Sequence, residues 1–204
     1  MSYRRIILAF ALFSLASAAL SQNFNGGLLA GLSATQVDGD GYGGYKRAGL
    51  AAGVWVGRAF STELAIRTEL KFLQKGSYQQ FKDDIGGVVG FYSMRLNYVH
   101  MPYLIEYHFR ENIVPFAGLS VGYLWRATES NMDGTYPEED IAQFRKVEVA
   151  ATAGVEYLIN RHFSFCASFS YSAFPVRPHR GNISYRLNRG QFNNTLQFYL
   201  KYNF

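Results

Sequence analysis

The chain is 204 residues long, which is the length of one domain. It has 20 Lys and Arg residues against 15 Asp and Glu. Without Arg4 and Arg5, which belong to the N-terminal segment described next, the balance is 18 against 15, and a charge of +3 is not that of a nucleic-acid-binding protein. The single cysteine, Cys166, excludes a framework of internal disulfides, and we expect it to be buried and unpaired.

The N-terminal segment has the pattern of a secretory signal peptide. Arg4 and Arg5 precede a short apolar stretch, and small residues follow as far as Ser21. The apolar stretch is too short for a membrane-spanning helix, which needs about 20 residues. We therefore expect cleavage near Ser21, which divides the chain into a signal peptide, residues 1–21, and one exported domain, residues 22–204. An exported chain without a helical anchor can span a membrane only as a closed β-barrel.

Polar and apolar residues alternate through most of the exported domain, and this period of two predicts β-strands. In the clearest segment, one face is apolar and the other carries Arg67, Glu69 and Lys71. A later segment repeats the pattern with Glu148 and Glu156 on its polar face. Eight strands are predicted, at residues 24–36, 46–58, 62–75, 92–108, 113–126, 145–158, 163–172 and 192–204.

The predicted connections between strands alternate in length. Short turns on one side and long loops on the other are typical of an up-and-down barrel in the outer membrane, with the long loops outside the cell. Both chain ends of the barrel then lie on the short-turn, periplasmic side. The short connections are near residues 59–61, 109–112 and 159–162, and the long ones are near 37–45, 76–91, 127–144 and 173–191.

Energetics decides which face of each strand points inward. A Lys or Arg that faces lipid at the bilayer centre costs about 2–4 kcal/mol, so the charged faces must line the lumen. The interior of an eight-stranded barrel is only wide enough for side chains, and buried charges need partners. We expect a cross-strand ionic network that plugs the lumen, with small inward residues such as Gly122 and Ser168 leaving room for it. Its predicted members are Glu63, Arg67, Glu69, Lys71, Glu106, Lys146, Glu148 and Glu156.

The last strand alternates from Leu196 to Phe204, with large apolar or aromatic residues on one face. Strands ending in Tyr-x-Phe are typical of bacterial outer-membrane barrels, so we expect Tyr202 and Phe204 to form the signal read by the barrel-assembly machinery. Other outward tyrosines and Trp125 lie near predicted strand ends, where aromatic girdles form. The soluble alternative for the same pattern is a lipocalin-like barrel.

Three segments carry motifs in a distinctive order: TELKF at 68–72 followed by Lys75-Gly76, NYVHMPYLIEY at 97–107, and PFAGLSVGY at 115–123. They resemble the third, fourth and fifth strands of the PorT-like outer-membrane barrels of Bacteroidetes. The chain departs from that pattern at His100, where the family usually has Glu, and at Glu106, where it often has Lys. The resemblance implies an outer-membrane barrel in a family one of whose founding members takes part in a secretion and gliding apparatus.

No residue pattern indicates catalysis, a cofactor or a metal site. The serines of segment 163–172 are interpreted as filling of the lumen, and His100 as a member of the network, because no second His shares its face at ligand spacing. The segment 38–41, Asp-Gly-Asp-Gly, lacks the remaining calcium ligands and is interpreted as a turn. Pro102 removes a donor from a strand and predicts a bulge or bend.

Two predicted loops have opposite charge. Loop 127–144 has acidic residues and no basic one, whereas loop 173–190 has arginines and no acid. Three interpretations stay open: both loops are solvated, the loops pair with each other, or the arginines bind phosphates of lipopolysaccharide, which guanidinium groups bind bidentately. The acidic residues are Glu129, Asp133, Glu138, Glu139 and Asp140, and the phosphate-binding candidates are Arg177, Arg180, Arg186 and Arg189.

The sequence as a whole predicts an all-β fold: a single eight-stranded antiparallel up-and-down transmembrane β-barrel in the bacterial outer membrane, made with a cleaved N-terminal signal peptide. The expected role is non-enzymatic. It is that of a plugged structural or accessory envelope protein whose extracellular loops contact lipid headgroups, lipopolysaccharide or an envelope protein. The alternative is a transport component, either a narrow pore or a subunit of a secretion apparatus. The expected partners include outer-membrane lipid and the barrel-assembly machinery, and neither nucleic acid nor a cofactor.

Overall fold

The computed structural model describes residues 24–137, 143–178 and 190–204. The predicted signal peptide, residues 1–21, lies outside the described residues, so its cleavage stays a prediction. In the described part, no helix is long and apolar enough to cross a membrane. The strands are β1 (Asn25–Asp38), β2 (Arg47–Ala59), β3 (Leu64–Lys82), β4 (Val88–Tyr107), β5 (Ile113–Asn131), β6 (Gly134–Thr135), β7 (Val147–Leu158), β8 (Phe163–Ser172) and β9 (Phe192–Asn203).

Eight of these strands form a closed antiparallel ring. Each of β1 to β4 pairs with the next strand in sequence, β5 pairs with β7, and β7 to β9 continue the ring. The ring closes where β1 pairs with β9, from Gly27 opposite Asn203 to Asp38 opposite Phe192. The two-residue strand β6 only folds back on the end of β5. The predicted eight-stranded up-and-down barrel is confirmed.

The described strands extend further on one side than the sequence predicted. A loop was expected over residues 76–91, but β3 and β4 continue as a paired hairpin to Lys82 and from Val88, and only residues 83–87 connect them. Likewise β5 continues to Asn131, inside the expected loop 127–144. Both expectations were wrong because residues 76–80 and 127–131 are mostly polar or small like those of loops, although their backbone groups still pair as in a sheet.

The outer face of the barrel wall is apolar and the inner face is polar, which is the reverse of a soluble β-barrel. Outward residues such as Leu70 and Leu119 are 50% and 61% exposed, whereas the inward Arg67 and Glu69 are each 1% exposed. Cys166 is buried and unpaired, as expected. This arrangement excludes the lipocalin-like alternative, whose interior would be the apolar side. The aromatic residues predicted for the girdles point outward with substantial exposure: Tyr103, Tyr107, Tyr123, Trp125, Tyr157 and Tyr202, with Tyr171 half-buried.

Pro102 interrupts the ladder between β3 and β4 without changing its register. Thr68 pairs with Tyr103 and Lys71 with His100, so the residues on both sides of the interruption are in the same register. The hydroxyl of Thr68 donates a hydrogen bond to the carbonyl oxygen of Pro102 at 3.0 Å. The bulge expected at Pro102 is therefore wrong, and the register shift of β4 lies instead where it meets β5, between residues 97 and 98.

Candidate functional site

The periplasmic half of the barrel interior is organised around Arg67. Its guanidinium group forms ion pairs with the carboxylates of Glu69, at 3.0 Å, and of Glu106 and Glu156. The Arg67 side chain also lies over the Phe116 ring, 4.6 Å from its centroid. These residues come from β3, β4, β5 and β7, so one buried cation connects four strands across the lumen.

Two lysines complete this lower network. Lys71 Nζ lies 2.7 Å from a carboxylate oxygen of Glu69, and Lys201 Nζ lies 2.8 Å from one of Glu156. The network therefore has three cations and three carboxylates and is formally neutral. Neutrality and close pairing offset the cost of removing six charges from water.

A second ion pair lies nearer the extracellular side. Lys75 Nζ donates to both carboxylate oxygens of Glu148, at 3.0 and 2.9 Å, and Ser172 Oγ donates to Glu148 at 2.6 Å. Lys75 also sits above the Tyr98 ring, 5.2 Å from its centroid. A Cβ at Gly122 would lie 3.1 Å from the Tyr98 ring and 3.4 Å from Glu148, so a larger residue there would crowd these long side chains.

Between the two networks lies a layer of uncharged polar side chains. The imidazole of His100 and the amide of Gln197 are fully buried and have no hydrogen-bond partner within the described protein. Polar groups of this kind are satisfied by ordered water. Within the part of the chain that the structure describes, neither ring nitrogen of His100 meets a serine hydroxyl, and no group of His, Cys, Asp and Glu side chains is placed to hold a metal ion.

The extracellular end is covered by a buried bidentate ion pair. Arg177, in the segment after β8, reaches Glu129 of β5 with Nη1 at 2.6 Å and Nη2 at 3.2 Å. Arg177 Nε donates to the side-chain oxygen of Gln191 at 2.9 Å, and Tyr92 donates its hydroxyl hydrogen to Glu129. We call these four residues the cap. They lie over an apolar cluster formed by Val37, Tyr92, Met94, Leu96, Tyr98, Leu124, Phe144 and Val176.

The structure places six of the eight predicted network residues in the interior: Arg67, Glu69, Lys71, Glu106, Glu148 and Glu156. The other two, Glu63 and Lys146, are exposed and have to be removed from the network. Glu63 lies in the turn before β3, where its carbonyl oxygen accepts from the His108 amide. Lys146 comes before β7, and its carbonyl oxygen accepts from the Leu124 amide. Both have the inward parity, but the strands do not include them.

Several interior residues were missed by the sequence reasoning. Lys75 and Lys201 have the inward parity of their strands, and this signal was available. Trp55 was harder to find, because β2 has small or apolar residues on both faces. Its indole donates to the Tyr202 carbonyl oxygen at 3.3 Å, and its ring lies 3.9 Å below the Lys201 ammonium.

The predicted loop and terminal residues are only partly described. Arg177 is buried in the cap, whereas Arg180, Arg186 and Arg189 lie outside the described residues, as do Glu138, Glu139 and Asp140. Tyr202 is on the outward face beside Phe163, with ring centroids 5.3 Å apart, and Phe204 is 81% exposed.

A closed ring of strands with charges inside and an apolar band outside defines a transmembrane β-barrel. A family of outer membrane protein β-barrel domains matches residues 20–175, and the chain belongs to this family. The protein is therefore located in the bacterial outer membrane. A search of curated proteins finds no match to the chain.

Two solved barrels are similar in fold. One is Ail, the attachment invasion locus protein of Yersinia pestis, which has 15% identity and a TM-score of 0.51, covering 88% of this chain and 98% of Ail. The other is Neisserial surface protein A, which has 12% identity and a TM-score of 0.52, covering 89% of this chain and 97% of that protein. At these identities the likeness shows the fold alone.

Proposed function

We propose that this chain is a non-enzymatic structural or accessory barrel with a plugged lumen, and that its extracellular side contacts lipid headgroups or an envelope protein. We further propose that it is a PorT-like barrel, on the strength of the motifs at 68–76, 97–107 and 115–123. Tyr202 and Phe204 are proposed to engage the barrel-assembly machinery. The proposed contact with lipid headgroups includes binding of lipopolysaccharide phosphates by Arg180, Arg186 and Arg189.

The single observation that carries the plugged lumen is the stacking of paired side chains along the barrel axis. The Arg67 network, the Lys75–Glu148 pair and the cap each have their charges matched and buried. A hydrated ion crossing the barrel would have to separate these pairs in turn, and separating a buried pair costs several kcal/mol. Such a barrel is expected to be closed to ions.

The contact role is supported by the hairpin of β3 and β4, which projects beyond the apolar band. At its tip, Ile85 is 93% exposed, and Val88 and Val89 are 53% and 58% exposed. Asp83 and Asp84 flank this apolar tip. An exposed apolar group rimmed by charges is typical of a protein or membrane contact site.

Conductance across a planar bilayer tests the plugged lumen against the transport alternative. The folded protein is expected to give no steady current steps, with insertion checked by the heat-modifiable band on an unboiled gel. Steady steps from the inserted protein would contradict the plugged lumen and favour a narrow pore.

Photo-crosslinking in native envelopes tests the contact role. A crosslinking residue at Ile85 is expected to capture lipid or an envelope protein, and the mass of the adduct separates the two. The matched control places the same residue at Glu63, in the turn at the opposite end of the barrel. Equal adducts at both positions, or none at Ile85, would contradict contact through the extracellular hairpin.

A further inference from the structure

The outward surfaces of β4 and β5 change from apolar to polar at the same height. On β4 the change falls between Val99 and Asn97, and on β5 it falls between Trp125 and Arg126. Asn97 pairs directly with Arg126 in the sheet. The two strands therefore leave the apolar band together.

The register shift between β4 and β5 creates this boundary. Tyr98 faces Leu124 and Asn97 faces Arg126, so Trp125 is an extra residue on β5. As a result Trp125 and Arg126 are both exposed on the outside of the barrel, although they are adjacent in sequence. Trp residues in membrane proteins concentrate at the interface between the apolar layer and the headgroups.

The distance to the opposite rim agrees with this placement. From Val99 to Tyr107 the strand rises roughly 26 Å at ~3.3 Å per residue. A barrel strand tilted by about 40° would then cross roughly 20 Å of membrane, close to the ~25 Å apolar band of outer-membrane barrels. Arg126, next to Trp125, and Arg95, beyond Asn97 on β4, consequently lie at the level of the outer-leaflet headgroups.

A third arginine joins them from β2. Arg47 Nη1 donates a hydrogen bond to Ser93 Oγ at 3.0 Å, which holds its guanidinium against the outer face of β4. The three arginines surround a cavity of about 410 Å³, which we call the basic notch. In the described part of the chain, no carboxylate forms an ion pair with any of the three. The notch is lined by Arg47, Ser93, Arg95, Asn97, Arg126, Thr128 and Ser130.

We infer that the basic notch binds the phosphate group of a glycolipid in the outer leaflet. Guanidinium groups bind phosphate oxygens bidentately, and the hydroxyls of Ser93, Thr128 and Ser130 supply further donors. The notch lies on the outer face of the barrel at headgroup height, and the exposed side chains of Val99, Tyr123 and Trp125 beneath it form a surface on which acyl chains would pack. A lipid that carries phosphate on its headgroup satisfies both surfaces at once, which a free phosphate ion does not. This site is on the barrel wall and depends on neither the plugged lumen nor the loop contacts proposed above.

Native mass spectrometry of the folded protein in detergent tests the inference, with diphosphorylated lipid A as the probe. The variant is Arg47→Gln/Arg95→Gln/Arg126→Gln, and the control Arg58→Gln/Arg110→Gln/Arg161→Gln removes the same charge from the periplasmic end. The notch variant is expected to lose about tenfold or more in affinity, since several charge-assisted hydrogen bonds disappear, while the control stays close to wild type. Should the notch variant fail to fold, Arg95→Gln/Arg126→Gln leaves the Arg47–Ser93 bond intact and is expected to lose affinity in the same direction.

Three results would overturn the inference. Unchanged affinity in the notch variant would show that the arginines do not bind the lipid, and an equal loss in the control would reduce the effect to net charge. Equal binding of lipid A from which the phosphates have been removed would exclude phosphate as the recognised group. Phosphorus NMR can monitor competition between inorganic phosphate and lipid A for the notch. Complete displacement of lipid A by inorganic phosphate would make the notch a site for free phosphate and contradict the lipid ligand.

Discussion

Replacing Glu69 by leucine removes the carboxylate that two buried cations share. Glu69 lies 3.0 Å from Arg67 Nε and 2.7 Å from Lys71 Nζ, and it accepts a hydrogen bond from the Tyr199 hydroxyl at 3.0 Å. Arg67 keeps Glu106 and Glu156 as partners. Lys71 keeps no carboxylate partner among the described residues, although the Tyr199 ring still lies 4.7 Å from its ammonium group.

The expected cost follows from this loss. Breaking a buried pair by removing one partner destabilises a protein by about 3–5 kcal/mol, and the remaining cation–π contact of Lys71 offsets part of it. We expect Glu69→Leu to lower the free energy of unfolding by about 3 kcal/mol. The double variant Glu69→Leu/Lys71→Met should recover roughly 2 kcal/mol of this, because it leaves no unpaired lysine.

The assay is guanidinium unfolding of the barrel folded in lipid vesicles, followed by tryptophan fluorescence. Glu63→Gln is the matched control, because Glu63 is exposed in a turn and its loss should cost less than about 0.5 kcal/mol. A Glu69→Leu variant as stable as the control would refute the buried network. So would a double variant less stable than Glu69→Leu alone.

Four further outcomes are expected. Leu70→Arg, on the lipid-facing side of β3, should destabilise the folded barrel by about 2–4 kcal/mol in the same assay, and a neutral effect would reverse the assignment of the two faces. Deleting Phe204 should abolish the heat-modifiable folded band in outer membranes, and a normal folded yield would remove its role in assembly. Arg177→Gln should leave Glu129 buried without its cation and speed proteolysis of the two segments that the pair connects, one after β5 and one after β8. Unchanged cleavage would show that the cap contributes little to holding these segments in place. Burial raises the pKa of Asp40 to about 6, so the loop that contains it should be most stable at low pH and lose stability as pH rises from about 4 to about 6. Protection factors of the amides in this loop, which correct for the pH dependence of intrinsic exchange, should show this slope in the wild type and lose it in Asp40→Asn.

The membrane-embedded part of the barrel was the most predictable. In β3 the charged residues Arg67, Glu69 and Lys71 alternate with apolar ones, and a charge cannot face lipid at mid-bilayer without a large cost. This one argument assigns inside and outside for the strand. Residues directly opposite each other in a ladder share a face, so the register carries this assignment to the neighbouring strands.

The extracellular part was less predictable because its polarity reverses along the same strand. On the periplasmic side of Tyr98, the inward residues of β4 include the polar His100 and the charged Glu106 as well as Leu104. On the extracellular side, Met94 and Leu96 are inside and Arg95 is outside. The sequence alternates through the change without a break in parity. Periodicity therefore predicts the strand but not the height at which lipid gives way to water.

The choice of ion-pair partners could not be predicted either. Glu156 of β7 meets Lys201 of β9 and Arg67 of β3 across the lumen, and these strands are far apart in sequence. Which charges meet depends on the register around the whole ring, which no single strand encodes. The opposite charges of the two predicted loops had suggested that the loops could pair. That Arg177 and Glu129 are the residues that meet was again not predictable from the sequence.

Contacts between methyl groups and lipid test the central claim most directly, namely a closed barrel with its charges inside and its apolar residues in the membrane. In nanodiscs, NMR should detect contacts from lipid acyl chains to the methyl groups of Ile66, Leu70 and Leu119, and none to those of Leu73 and Leu104, which are buried inside the ring. Acyl-chain contacts at Leu73 and Leu104 with none at Leu70 would contradict the account.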